Sequence, residues 1–487
     1  MKTLPHLNTT LALPIIAPFR TTKYSIRDNN PYDELYKKYS SIMEINPKLT
    51  RELVSYQGSK KQAFYRWLKF KEAFSSDLIK HFLELYSPSN AKDPSILDPF
   101  AGTGTALTVA ANAGWKATGI EIMPIGVAAI KARLVASKIN TVKFNRVYKK
   151  FKTTNFYSNN NSKAKIGYLT ITKGAFHLKT ELALINYLDF LAKIKDDDIR
   201  YIFWFACLSI LEDISYTRKD GQYLRWDCRS DRKLKSQFNK GQISQFHDAL
   251  DQKLNIIIED IRMYKDSKNI NSIKVIEGSC LDEIPLMTKD KFNLIITSPP
   301  YCNRYDYTRT YALELAFMGK DDEAVKDLRQ CMLSCTVENK SKKQAFEDYY
   351  NRKGDGRAFK EIQRRFDNQK ELKEIIQNLI NARDEDKLNN NNIPNLVENY
   401  FYELNVLIGE FYRILKPGGR VIMVNDNVQY NGDEIPVDLI LSDFASMAGF
   451  TIEHIWILPN GKGNSSQQMG VHGRNELRKC VYVWQKK

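Results

Sequence analysis

The stretch Ser95–Thr105, which reads Ser-Ile-Leu-Asp-Pro-Phe-Ala-Gly-Thr-Gly-Thr, decides the fold. It begins as a short apolar strand and ends in a turn with two glycines, and residues 106–113 then carry apolar side chains at helical spacing. A second apolar strand follows and ends at Glu121. This order of strand, turn, helix and strand predicts a parallel α/β unit. Gly102 and Gly104 allow the backbone to approach a ligand closely, and the next helix begins with unpaired N–H groups.

Glu121 adds a second feature of a ligand site, because a carboxylate at the end of the second strand can accept hydrogen bonds from both hydroxyls of a ribose. The glycines do not follow the Gly-x-Gly-x-x-Gly spacing, which weakens the case for a dinucleotide. No Gly-Lys-Ser or Gly-Lys-Thr follows either, which argues against a phosphate-binding loop of an NTPase.

A second informative segment is Ile295–Tyr301, which reads Ile-Ile-Thr-Ser-Pro-Pro-Tyr. An apolar run predicts a buried strand that ends at Ser298, where two prolines fix the backbone and remove two N–H donors. The resulting stiff corner offers carbonyl and hydroxyl acceptors and an aromatic ring to a flat, amino-bearing ligand. An ordinary turn at the end of a strand has the same composition, so this segment alone leaves both interpretations open.

Together the two segments resemble a known family. Asp98–Thr105 resembles the S-adenosylmethionine motif of DNA amino-methyltransferases, and Thr297–Tyr301 resembles their catalytic motif in the form most typical of enzymes that methylate cytosine N4. Enzymes that methylate adenine N6 more often carry Asp or Asn before the two prolines, although some carry Ser. The resemblance implies an α/β, Rossmann-like class I methyltransferase with a mostly parallel seven-stranded sheet, helical insertions and S-adenosyl-L-methionine as cofactor.

The resemblance also implies the residues of the site. The catalytic residues expected from it are Ser298, Pro299, Pro300 and Tyr301. The expected cofactor-binding residues are Phe74, Ser75, Asp98, Phe100, Gly102, Gly104, Thr105, Glu121, Ser279 and Asp282. Phe74 and Ser75 resemble an additional cofactor motif that precedes the glycine turn. Ser279 occupies a position where the family commonly has Asp, and Asp282 is a candidate to replace that contact.

The expected reaction transfers a methyl group to an exocyclic amino group of a base that has left the duplex. Carbon-5 methylation of cytosine would need a Pro-Cys dipeptide, whereas Tyr301 separates the prolines from Cys302. Between the two amino groups, the Ser form of the motif favours cytosine N4 through the resemblance, with adenine N6 as the alternative. An RNA or protein amino-methyltransferase and a catalytically silent module of the same fold are the remaining rivals.

Composition is compatible with a nucleic-acid partner. Lysine and arginine exceed aspartate and glutamate by 73 − 57 = 16, and the pI is about 9.2. We expect double-stranded DNA as the substrate and, by analogy, a separate cognate restriction endonuclease. The cysteines show no metal-binding spacing. The apolar run Leu11–Ile16 is too short for a signal peptide or membrane span and is broken by Pro14, so the expected location is the cytoplasm.

Composition also divides the chain. We predict an N-terminal arm over 1–48, a catalytic core over 49–124, 271–319 and 396–487, and two insertions, over 125–270 and 320–395. The first insertion contains Ser215–Arg229, where basic and aromatic residues alternate around a glycine, and is the candidate for target recognition. The second is charged and predicted to be helical. The candidate DNA-binding residues are Arg218, Lys219, Arg225, Arg304 and Arg309.

Overall fold

The structure is a computed structural model that describes residues 22–23, 33–88, 92–158, 162–220, 223–233, 237–263, 272–459, 462–463 and 476–487. Its centre is a nine-stranded sheet with the strand order β1-β2-β12-β15-β9-β8-β3-β4-β7. The strands of this sheet are β1 (Thr22–Lys23), β2 (Met43–Ile45), β3 (Ser95–Asp98), β4 (Lys116–Glu121), β7 (Ile273–Glu277), β8 (Phe292–Thr297), β9 (Leu415–Asp426), β12 (Phe450–Ile457) and β15 (Lys479–Lys486). Three short hairpins lie outside it: β5 (Thr217–Asp220) with β6 (Tyr223–Trp226), β10 (Val428–Tyr430) with β11 (Asp433–Ile435), and β13 (Lys462–Gly463) with β14 (Glu476–Leu477).

Helices pack on both faces of the sheet and build the insertions. They are α1 (Asp33–Tyr39), α2 (Ser76–Tyr86), α3 (Thr105–Asn112), α4 (Pro124–Ala136), α5 (Thr141–Thr153), α6 (Leu178–Ala192), α7 (Asp197–Ile214), α8 (Phe246–Met263), α9 (Cys280–Glu283), α10 (Tyr307–Thr310), α11 (Ala312–Phe317), α12 (Asp322–Cys331), α13 (Lys343–Arg352), α14 (Gly356–Asn368), α15 (Lys370–Asp384), α16 (Ile393–Ile414) and α17 (Val437–Met447). In the described parts of the chain, no helix is long and apolar enough to span a membrane.

The sheet confirms the predicted α/β, Rossmann-like class. Strands β2, β12, β9, β8, β3, β4 and β7 run in one direction, and β15 lies antiparallel between β12 and β9. The expected count of seven strands is too low by two, because the N-terminal strands β1 and β2 extend the sheet beyond β12.

The extension comes from the segment predicted to be an N-terminal arm. Residues 1–21 and 24–32 lie outside the described part of the chain. In the remainder, β2 pairs with β12, and the side chains of Leu35, Tyr36, Tyr39 and Met43 are buried in the same core as α16 and α17. Leu35, Tyr36 and Tyr39 stand at helical spacing, but the run is too short to predict a helix, which is why the sequence alone suggested an arm.

The strand order creates a crevice at the carboxyl edge of the sheet. The chain proceeds from β3 outward through β4 to β7, and then returns to the other side of β3 with β8 and β9. Parallel sheets bind ligands at the point where the order reverses in this way, outside the carboxyl ends of the strands. Asp98 at the end of β3 and Ser298 just after β8 therefore lie at the same crevice.

Both predicted insertions share cores with the sheet. Helices α4 to α8 bury one apolar cluster that also includes Trp67, Phe70 and Tyr311, while α13 to α15 pack with α16 and α17. The charged insertion is helical as predicted, but one face of each of these helices carries buried side chains such as Tyr350 and Phe366. The apolar core of each insertion includes residues from the predicted catalytic core. Neither insertion therefore packs as a separate body.

Candidate active site

The glycine turn after β3 forms the floor of the first cavity. Gly102 and Gly104 have φ angles of +54° and +76°, in the left-handed region that favours glycine. A Cβ at Gly104 would lie 2.8 Å from the Ile130 side chain, so helix α4 leaves no room for a larger residue. The turn is therefore fixed by both backbone conformation and packing.

Asp98 ends β3 with a buried carboxyl group. Its Oδ1 atom accepts hydrogen bonds from the Thr297 hydroxyl at 2.9 Å and from the Phe100 N–H at 3.1 Å, which ties the ends of β3 and β8 together. Its Oδ2 atom is buried and has no hydrogen-bond partner among the described residues. Burial raises the pKa of Asp98 to about 7. A buried acceptor without a partner is costly unless a ligand supplies the donor.

Glu121 ends β4 and faces the same turn. Its carboxylate accepts from the N–H of Gly102 and, at 2.6 Å, from the N–H of Met123. Burial raises the pKa of Glu121 to about 8, although the two hydrogen bonds lower this pKa. The side chain is therefore held in one orientation at the end of the strand.

These groups line one cavity at the carboxyl ends of β3 and β4. Most of the predicted cofactor-binding residues contribute to its wall, namely Phe74, Asp98, Phe100, Gly102, Thr105, Glu121 and Ser279. The remaining wall includes apolar side chains from β4 and from the loop after α12, which suit an aromatic ring system. A wall that combines carboxyl groups with apolar side chains fits a ligand with an ammonium group, a ribose and a purine, as S-adenosylmethionine has.

The other predicted cofactor residues have different surroundings. The Ser75 hydroxyl caps α2 by accepting from the Leu78 N–H at 3.2 Å and donates to a backbone carbonyl, so it serves the helix. Ser279 lines the cavity, but its hydroxyl donates to the Cys331 carbonyl at 2.8 Å. Asp282 is exposed on α9 and is not part of the cavity wall, so it does not replace the missing family Asp.

A second cleft lies beside the first and shares part of its wall. The predicted catalytic residues Ser298, Pro299 and Tyr301 line it, and the two cavities share Ser298 together with Phe74 and Tyr307. Pro300 lines the first cavity. Ser298 therefore lies where a methyl donor in one cavity and an acceptor in the other would meet.

The cleft also contains residues that sequence patterns did not reveal. Lys479 at the start of β15 donates to the Tyr301 hydroxyl at 3.0 Å and to Asp426 at 2.8 Å. Glu72 accepts from the hydroxyls of Tyr305 and Tyr311. Lys479 and Asp426 stand in no local motif, and only the pairing of β15 with β9 brings them to Tyr301.

The predicted DNA-binding residues separate into two groups. Arg218 is exposed on β5 and lines the cleft, and no carboxylate of the described residues lies within 4.0 Å of it. Lys219, by contrast, is only 4% exposed and forms an ion pair with the buried Glu314. Because strand side chains alternate in direction, one residue of the hairpin faces the cleft and its neighbour faces the core, where no phosphate can reach it.

The other three arginines have partners on the protein. Arg225 pairs with Asp220 at 3.1 Å, and Arg309 pairs with Asp306 and Glu338. Arg304 donates to Asn389 at 2.7 Å. The charges of Arg225 and Arg309 are partly balanced by carboxylates, whereas Arg304 is held by a neutral amide. Arg51, Lys69 and Lys71 also line the cleft beside Arg218, with Lys69 paired to Glu212 at 3.2 Å, and were not singled out from the sequence.

The comparisons with known proteins agree with this geometry. A family model described as DNA methylase matches residues 19–132. The chain is 43% identical over 460 residues to the Type II methyltransferase M.AvaI of Nostoc sp. (strain PCC 7120 / SAG 25.82 / UTEX 2576), an alignment that covers 93% of this chain and 92% of the relative. It has the same identity and coverage with the M.AvaI protein of Anabaena variabilis. It is 39% identical over 475 residues to the Type II methyltransferase M.BsoBI of Geobacillus stearothermophilus, covering 93% of this chain and 91% of that relative.

The likeness extends over nearly the full length of each relative, so it includes both insertions as well as the two cavities. The motif around Asp98 and the corner at Ser298 lie in the two strand contexts that the family resemblance requires. The chain belongs to the family of Type II DNA amino-methyltransferases.

Proposed function

We propose that the protein transfers a methyl group from S-adenosyl-L-methionine to the N4 amino group of a flipped cytosine in double-stranded DNA. The observation that carries the proposal is the position of Ser298, which belongs to the walls of both cavities. The Ser form of the motif favours cytosine N4 through the family resemblance, and adenine N6 is the alternative. The Type II methyltransferase names of the relatives support a role in a restriction-modification system with a separate endonuclease, and the cytosol as the location of the DNA substrate.

The first cavity would hold the cofactor. Asp98 would accept from the ammonium group, Glu121 from the ribose hydroxyls, and the N–H groups of the glycine turn would face the ligand. When bound, S-adenosylmethionine supplies a methyl group on a sulfonium, an electrophile that needs no metal for activation. The contribution of the protein is therefore to position the acceptor.

The second cleft would hold the base. Ser298 Oγ and the Pro299 carbonyl would accept hydrogen bonds from the exocyclic N–H groups, which draws the amine lone pair out of conjugation with the ring. The ring of Tyr301 would stack on the base, since a flipped base loses its neighbours in the duplex. The prolines keep the corner rigid because their φ angles are fixed. They also carry no backbone N–H donor.

A direct test compares the incorporation of tritiated methyl groups into DNA, tRNA and protein, and then identifies the modified nucleoside by mass spectrometry. We expect incorporation into DNA only, as N4-methylcytosine. N6-methyladenine in the product would establish the alternative base, and label in tRNA alone would contradict the proposal.

Tyr301→Ala provides a test of the base cleft. Loss of the stacking ring should reduce the rate of methyl transfer at least about 100-fold, because the amine is no longer held in line. Binding of S-adenosylmethionine, measured by calorimetry, should stay within about twofold of wild type because Tyr301 does not line the first cavity. Retained turnover would remove Tyr301 from the proposed catalytic residues.

A further inference from the structure

The topology places a lysine at the catalytic corner. Strand β15 is antiparallel to β9, so its first residue lies at the edge of the sheet where the parallel strands end. This residue is Lys479, and its cross-strand partner is Asp426, the last residue of β9. The next strand in the sheet, β8, leads directly into Ser298.

The contacts of Lys479 are well defined. Its side chain is 12% exposed and that of Asp426 is 10% exposed, so the pair is largely shielded from water. The ammonium nitrogen lies 3.0 Å from the Tyr301 hydroxyl and 5.0 Å from the centre of the Tyr301 ring. Burial by itself lowers the pKa of Lys479, but Asp426 and Tyr301 together outweigh burial and hold this pKa above the usual range.

The direction of each hydrogen bond follows from the donors present. An ammonium group only donates, so the Tyr301 oxygen accepts from Lys479. The Tyr301 proton must then point to another acceptor, and Ser298 Oγ lies 3.2 Å away. A Ser298 oxygen that accepts from Tyr301 directs its own proton into the cleft and keeps one lone pair for a further donor.

We propose that Lys479 is a positioning residue, which orients the Tyr301 and Ser298 hydroxyls so that Ser298 presents a proton and a lone pair side by side to the edge of the target base. In cytosine, a ring nitrogen that accepts is adjacent to an amino group that donates, and the same is true of adenine. The inference rests on the proposed function, because it assigns a role within the base cleft. Asp426 holds the ammonium group in place for this role.

The chain provides a matched control. Lys486 lies at the other end of β15, has a side chain that is 11% exposed, and pairs with Asp290 at 2.7 Å. Lys486→Met removes a similarly buried lysine from the same strand without touching the cleft, although its partner Asp290 is 36% exposed. Lys479→Met can therefore be compared with a variant that carries the same chemical change at the other end of the strand.

The experiment measures single-turnover methyl transfer to DNA and the affinity for S-adenosylmethionine in the full-length protein. Lys479→Met should reduce the transfer rate about 10-fold to 100-fold, with cofactor affinity and melting temperature close to those of Lys486→Met. Lys479→Arg should recover part of the loss because it retains a cationic donor. Lys479→Met combined with Asp426→Asn should stay as slow as Lys479→Met because the cationic donor to Tyr301 is still absent.

A double-mutant cycle separates positioning from general stability. If Lys479 acts through the Tyr301 hydroxyl, Tyr301→Phe and the Tyr301→Phe, Lys479→Met double variant should have rates within about threefold of each other. The inference would be overturned if the double variant lost the product of the two single-variant losses in rate. A wild-type rate in Lys479→Met would also overturn it. Absence of transfer by the wild-type protein would instead overturn the proposed function itself, and this inference with it.

Discussion

At the scale of single residues, two buried carboxyl groups control the first cavity. Burial raises the pKa of Asp98 to about 7 and the pKa of Glu121 to about 8, so both are largely protonated near pH 6 in the ligand-free protein. An ammonium group and ribose hydroxyls bind better to carboxylates than to carboxylic acids. Ligand binding therefore favours deprotonation of both groups.

We predict that the affinity for S-adenosylmethionine rises between about pH 6 and pH 8, by up to about tenfold per pH unit for each proton released. Calorimetry in two buffers with different ionisation enthalpies measures the affinity and the proton release together. Asp98→Asn should bind S-adenosylmethionine more weakly at pH 8, and its affinity should depend less on pH. The same variant is the control for titration of the ligand's own amino group, which occurs in both proteins. An affinity independent of pH in the wild type would contradict the prediction.

The same two groups affect stability in the opposite direction. Their ordinary pKa values of 3.8 and 4.5 are lower than those in the folded protein, so the folded state holds more protons between about pH 4 and pH 8. Their contribution to the stability of the ligand-free protein is complete below about pH 4 and is lost as the pH rises through 7 to 8. Saturating cofactor should offset this loss.

At the scale of elements, the β5–β6 hairpin connects the first insertion to the cleft. Arg218 faces the cleft, whereas Lys219 pairs with Glu314, a residue of α11 whose side chain is 2% exposed. The backbone carbonyl of Lys219 also accepts from Lys71 at 2.9 Å. The hairpin is therefore anchored by one residue so that its neighbour can face the cleft.

We predict different effects for the two neighbours. Arg218→Ala should leave the free energy of unfolding unchanged and reduce the slope of log affinity for DNA against log salt by about 1, because one phosphate contact is lost. Lys219→Met should cost about 3–5 kcal/mol of unfolding free energy, because it leaves the Glu314 carboxylate buried without its partner.

Denaturant unfolding and DNA binding at several salt concentrations measure these two effects. Arg225→Ala is the control on the facing strand, where the arginine is already paired with Asp220, and it should change the salt slope less than Arg218→Ala. A salt slope that is unchanged in Arg218→Ala would place the phosphate contacts elsewhere.

At the scale of the whole molecule, Asp260 links the first insertion to the N-terminal part of the core. It lies on α8, and its buried carboxylate accepts from the Phe64 N–H at 2.9 Å, from the Trp67 indole at 2.8 Å and from Arg66. Trp67 belongs to the apolar cluster that the insertion helices form. The insertion and the core therefore support each other.

We predict that Asp260→Ala lowers the free energy of unfolding by about 3–5 kcal/mol, since three donors, among them the buried Trp67 indole, lose their acceptor at once. Unfolding followed by tryptophan fluorescence and by circular dichroism should give coincident transitions in the wild type, because the insertion does not melt by itself. Two separate transitions would show that the insertion is an independent domain.

Features that depend on residues close in sequence were predicted from the sequence, whereas features that depend on distant pairing were not. The strand, turn and helix around Asp98, and the corner at Ser298, were predictable because each depends on neighbours in sequence. A helix was expected over 106–113 and α3 is found at Thr105–Asn112, since an apolar periodicity is a local property. The strands β1 and β2 were not expected, because each is short and is stabilised by pairing at the edge of the sheet.

The sequence by itself determined the class of the fold and the two motifs that place the chain among DNA amino-methyltransferases. These depend on local backbone preferences and on apolar patterns along the chain. Only the tertiary structure decided which basic residue of the hairpin faces the cleft, and that Lys479 meets Tyr301 across 178 positions of sequence. The physical reason is that burial and pairing between distant strands are set by the packing of the whole sheet, which no short segment encodes.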